Sequence, residues 1–120
     1  MPTLKKVIAW AALGVAISAT VAGAADRKEA RNQVEFGIRV AAQGLWREAV
    51  YRWERAVELD PTYAAAFNNL AIAYETAGEF QKAKAAYEKA IELDPKNTYI
   101  KQNFDLFKEI NDRANRQTSR

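Results

Sequence analysis

The 120 residues of this chain include neither histidine nor cysteine, which removes most of the side chains that do chemistry near neutral pH. There is no imidazole to carry a proton and no thiolate to attack a substrate or hold a metal. Disulfides and lipid attachment through cysteine are likewise excluded. Catalysis would fall to carboxylates, lysine or tyrosine. The acidic residues stand mostly beside cations, as in Glu54-Arg55 and Glu88-Lys89, and such pairs form solvated helix faces. No glycine-rich phosphate loop, paired-carboxylate spacing or nucleophile motif occurs. The expectation is therefore a protein that is not an enzyme, with no catalytic residue, no metal and no cofactor. The chemistry left is recognition, for which amides such as Asn68, Asn69 and Asn103 can both donate and accept hydrogen bonds.

Those residues are positioned by a repeat. Segments 30–63 and 64–97 are one 34-residue unit written twice, with ten identities: Ala30/Ala64, Ile38/Ile72, Gly44/Gly78, Ala49/Ala83, Glu54/Glu88, Ala56/Ala90, and Glu58-Leu59-Asp60-Pro61 against Glu92-Leu93-Asp94-Pro95. Character is kept at Phe36/Leu70, Trp46/Phe80, Trp53/Tyr87 and Val57/Ile91. A period of this length marks stacked units that bury apolar faces against their neighbours. In the second copy Phe67, Leu70, Ala71 and Tyr74 fall on one helical stripe and Phe80, Ala83, Tyr87, Ala90 and Ile91 on another. Gly78 ends the first helix, and Pro95 marks the turn between units. The unit is a helix hairpin.

The pattern resembles the tetratricopeptide repeat. The second copy carries it as Phe67-x-x-Leu70-Ala71-x-x-Tyr74, Gly78, Ala83-x-x-x-Tyr87, Ala90 and Pro95. The first reads Gln33-x-x-Phe36-Gly37-x-x-Val40, Gly44, Ala49-x-x-x-Trp53, Ala56 and Pro61, departing at Gln33 and Val40 as suits a terminal unit. The resemblance implies an all-α fold of antiparallel hairpins stacked as a short right-handed superhelix. A fifth helix over 98–114 is expected as a cap, with Ile100, Phe104 and Phe107 on one side and Tyr99, Leu106 and Ile110 on an adjoining one. Residues 115–120 form a polar tail expected to fray.

In the family the concave face is lined by the first helix of each hairpin. Carried over at the 34-residue offset, that face has a row Ile38, Ile72, Leu106, flanked by Val34, Asn68, Gln102, by Glu35, Asn69, Asn103, by Ala42, Thr76, Ile110 and by Arg31, Ala65, Tyr99. The candidate groove is thus Val34, Ile38, Asn68, Asn69, Ile72, Thr76, Tyr99, Asn103, Leu106 and Ile110. Isoleucine at this spacing serves equally as packing between neighbouring helices. Chaperone-binding family members hold a C-terminal carboxylate with a clamp of Lys, Arg and Asn; only Asn69 fits it here, with Val34, Tyr99 and Asn103 where the cations would stand. The expected ligand is an apolar peptide or amphipathic helix of a partner protein. Trp46 and Trp53, aligned with Phe80 and Tyr87, are expected in the core, while Tyr51 lies off the core stripe. Two hairpins and a cap make a short solenoid, so a second copy or a neighbouring protein on the first unit's outer face is a further expectation.

Residues 1–24 have a different composition. Lys5 and Lys6 precede an uncharged run from Val7 to Ala25, and Ala22-Gly23-Ala24 is a small-residue cleavage pattern before Asp26-Arg27-Lys28-Glu29. This reads as an export signal, followed by a linker over 25–29. The alternative is an uncleaved membrane anchor with the repeats outside the cytoplasm and Gly14, Ser18 and Ala22 as a helix-packing face. Without Lys5 and Lys6 the 18 basic residues become 16 against 15 acidic, so the basic balance does not point to nucleic acid. The function expected is a protein-interaction adaptor or assembly factor, periplasmic or secreted. The alternative is a structural subunit of a membrane complex.

Overall fold

The computed structural model describes residues 23–119. The expected signal or anchor lies outside them except for Gly23 and Ala24. Among the described residues there are five α-helices and no strand: α1 (Ala24–Ala42), α2 (Trp46–Leu59), α3 (Ala64–Thr76), α4 (Phe80–Leu93) and α5 (Thr98–Thr118). The closest pairings are α1 with α2 and α3 with α4; α2 then meets α3, and α4 meets α5.

Glycine and aspartate set the turns. Gly44 and Gly78 have φ of 82° and 77°, a region that costs a side-chain-bearing residue a Cβ clash. In the first unit the Gly44 N–H donates to the Ala41 carbonyl and the Leu45 N–H to Val40, both at 2.9 Å. The second repeats this with Gly78 to Glu75 at 3.0 Å and Glu79 to Tyr74 at 2.8 Å. Carbonyls that a helix end would leave orphaned are thereby satisfied. Between units, buried Asp60 accepts from the Thr62 N–H at 3.0 Å and the Thr62 hydroxyl at 2.6 Å. After Asp94, Asn97 caps α5 by accepting from the Ile100 N–H at 3.2 Å, as a short amide side chain does at a helix N-terminus.

Small residues form the helix seams. Ala30, Ala49, Ala56, Ala66, Ala71, Ala83 and Ala90 are fully buried, and their size lets helices approach while rings fill the gaps beside them. The first hairpin goes further. A Cβ on Gly37 would overlap the Trp53 indole, and the Trp53 Nε1–H donates to the Val34 carbonyl at 3.2 Å. The second hairpin uses Ala71 with the smaller ring of Tyr87. On its far side α5 closes the core: Phe107 lies 5.4 Å from Tyr87 and 6.3 Å from Phe80 between ring centroids, and Phe104 stacks on Tyr87 at 5.6 Å.

Four expectations are corrected. Residues 25–29 form the start of α1 instead of a linker. Asp26 favours the helix N-terminus, and Glu29 accepts from Gln33 at 2.7 Å and Asn32 at 3.3 Å. The tail is helical to Thr118 and the cap is longer than 98–114. There the Thr118 and Ser119 hydroxyls donate to the Asn115 carbonyl at 3.0 and 2.7 Å. Trp53 is in the core, but Trp46 is 40% exposed, touching Trp53 edge-on at 6.5 Å with its outer side uncovered. Phe36 is exposed where its counterpart Leu70 is buried. The Arg52 guanidinium covers the Phe36 ring at 4.3 Å.

Candidate functional site

The candidate groove divides into an exposed apolar set and an internal brace. Ile38, Tyr99, Leu106 and Ile110 are 51%, 61%, 59% and 49% exposed. On α5 the last three stand seven and four residues apart, a single helical stripe, beside the stripe of Ile100, Phe104 and Phe107 that faces α4. Ile72 is half-buried and packs on the core. Thr76 is exposed and donates its hydroxyl to the Ile72 carbonyl at 2.8 Å.

The amides are placed differently from the expectation of a row facing a ligand. Asn68 is buried, and its Oδ1 accepts from Asn103 Nδ2 at 3.3 Å. The pair ties α3 to α5 and gives Asn68 a partner that burial makes obligatory. Asn69 and Asn103 are partly exposed. Val34 is buried in the core and offers a ligand no surface. One turn before Ile38, it is rotated about 40° around the helix, enough to carry it inward.

Two tyrosines tie the helices together through carboxylates. The Tyr74 hydroxyl donates to Glu54 on α2 at 3.1 Å and that of Tyr87 to Glu75 on α3 at 2.9 Å. Burial, and then the carboxylate that holds the proton, push the Tyr74 phenol up to about 12 and the Tyr87 phenol further in the same direction. Both stay neutral donors at any physiological pH. No group of three or more potential metal-ligating side chains occurs among the described residues, and no described helix is long and apolar enough to cross a membrane.

A family model described as tetratricopeptide repeat matches residues 64–97, the second copy in full, and a model described as TPR repeat matches residues 39–78 across the junction. The chain is a tetratricopeptide-repeat protein. Its fold is also that of the TPR domain of Arabidopsis OM64, with a TM-score of 0.68 and 24% sequence identity over 73% of each chain. No curated protein sequence matches it. Tetratricopeptide repeats are generally protein-interaction modules.

Sequence reasoning missed a concavity at the other edge of the repeats. Trp46 and Val50 of α2 and Ala73 and Tyr74 of α3 line a cleft of about 480 Å³. Its signal was present in the 34-residue offset carried on into α5, as the mismatch of Ala73 with Phe107.

Proposed function

We propose that this tetratricopeptide protein is a non-catalytic adaptor or assembly factor, exported from the cytoplasm, that takes a partner peptide or helix on the face formed by α1, α3 and α5. The observation that carries the reading is the exposure of Ile38, Tyr99, Leu106 and Ile110, large apolar side chains whose burial rewards a partner by about 25 cal/mol per Å². The buried Asn68 and its bond to Asn103 leave few amides for the backbone of an extended strand. This favours a helix that presents its own apolar stripe. Leu106→Asp is the test variant: it touches the exposed stripe, whereas Ile72→Asp would also strike the core. Proteins that co-purify with the wild-type chain should be lost with Leu106→Asp while the helical circular dichroism is unchanged. Retention of the same proteins at the same yield would reject this face as the binding surface.

Support for export comes from the Ala22-Gly23-Ala24 pattern next to an uncharged run. Cleavage after Ala24 would cost α1 one residue, leaving the pairing of α1 with α2 whole. A second reading, a subunit of a membrane complex held by an uncleaved N-terminal helix, is favoured by the four-residue spacing of Gly14, Ser18 and Ala22. Intact mass of the protein from soluble and membrane fractions separates them. A soluble species beginning at Ala25 supports export with cleavage, and a membrane species retaining residues 1–24 supports the anchored subunit.

A further inference from the structure

The junction between α2 and α3 and the junction between α4 and α5 are one junction repeated, and they are filled differently. In the second, Phe107 is 1% exposed and its ring packs on Phe80 and Tyr87. At the equivalent place in the first stands Ala73, and the counterparts of Phe80 and Tyr87 are Trp46 and Trp53. A methyl group stands where the later junction has a phenyl ring. The result is the cleft of about 480 Å³ lined by Trp46, Val50, Ala73 and Ala77, with Trp46 left 40% exposed along it. An apolar concavity bounded by an aromatic wall binds best what restores the missing packing.

The rim adds a charge. Arg47 and Glu79 both border the cleft. Glu79 is paired with Lys82 at 3.0 Å, and the Tyr74 hydroxyl, also at the cleft, is committed to Glu54. Arg47 forms no ion pair or side-chain hydrogen bond among the described residues, so its guanidinium is available to an incoming anion.

We propose that the cleft between α2 and α3 is a binding site for an aromatic side chain of a partner polypeptide, seated where Phe107 sits one repeat later, with an adjacent carboxylate of that partner on Arg47. The site is separate from the apolar stripe of α5 and sharing with that face is limited to Thr76, which borders both.

The test is a nuclear magnetic resonance titration of the isotopically labelled full chain with acetyl-Asp-Phe-amide. Saturable shifts are expected at the Trp46 indole N–H and the Ala73 and Ala77 amides. Acetyl-Asp-Ala-amide, lacking the ring, should give none. Arg47→Ala should weaken the dipeptide by roughly two- to fivefold, the range of a solvent-exposed ion pair, and acetyl-Lys-Phe-amide should bind the wild-type chain correspondingly less well. Ala73→Phe should fill the cleft from within and abolish the shifts. Should that variant fail to fold, Trp46→Ala, at a partly exposed position, is expected to abolish them instead. No saturable shift up to the solubility limit, equal response to the Phe and Ala dipeptides, or binding unaffected by the wall and rim variants would each overturn the proposal.

Discussion

Gly37 and Trp53 behave as one packing unit, and their counterparts show how it is tuned. The first hairpin combines no side chain with an indole, the second a methyl group (Ala71) with a phenol (Tyr87), so the volume removed from one helix is returned by the other. Gly37→Ala would drive a Cβ into the Trp53 ring and should cost about 1–3 kcal/mol, the usual penalty of overpacking. Adding Trp53→Tyr recreates the second hairpin's pair and should restore part of the loss. Urea denaturation of the two single variants and the double gives the coupling energy, and strict additivity would reject the account. Both residue pairs were legible once the copies were aligned, because the offset places Gly37 on Ala71 and Trp53 on Tyr87. That the indole lies on the glycine was not legible, since it depends on how two helices face each other across the hairpin. The same limit explains Val34 and Asn68: their row was identified by offset, but a rotation of about 40° decides between groove and interior, and an offset carries no such angle.

Helix boundaries were legible where the chain must do something unusual and were missed where it only continues. Gly44, Gly78, Asp60-Pro61 and Asp94-Pro95 mark turns through backbone chemistry that few residues support. By contrast the first turn of α1 and the last of α5 contain no large apolar residue, so periodicity had nothing to register; local bonds donated to the Glu29 carboxylate and to the Asn115 carbonyl hold them. Because the two glycine caps share one geometry, Gly44→Ala and Gly78→Ala should cost nearly equal amounts, about 1–2 kcal/mol for a side chain in the left-handed region. Thermal denaturation of both checks this, and a loss at one site alone would mean that its cap does not control the turn. For α5 the argument is burial. Phe107→Ala removes the ring that covers Phe80 and Tyr87 and should cost about 3–5 kcal/mol, whereas Leu106→Ala one residue earlier, on the exposed stripe, should change stability little. A small effect of Phe107→Ala would show that α5 is not the cap of the second hairpin.

Among the described residues, the assigned ion pairs join residues three or four apart along one helix or its cap, so they steady helices without holding one unit to the next. Each is exposed enough to contribute little. The polar ties between helices are instead Trp53 to the Val34 carbonyl and Arg52 to Gln33 in the first hairpin, and Tyr74 to Glu54, Tyr87 to Glu75 and Asn103 to Asn68 beyond it. Two of these depend on a phenol keeping its proton, and this gives the stack an alkaline limit. Burial and the partner carboxylate raise both phenols from the ordinary 10.0, Tyr74 to about 12 and Tyr87 in the same direction. Below the ordinary value folded and unfolded chains hold the same phenolic protons, and the contribution is complete. Above it the unfolded chain releases protons that the folded chain retains, so stability falls as pH rises through the folded value of Tyr74. The urea midpoint should therefore hold steady up to the ordinary phenol value and then decline, with tyrosine ionisation in the folded protein lagging that of the denatured chain. Tyr74→Phe with Tyr87→Phe should flatten this decline, because the phenyl rings preserve the packing and remove the titration. An unchanged slope in that variant would show that the alkaline loss does not come from the tyrosine ties between helices.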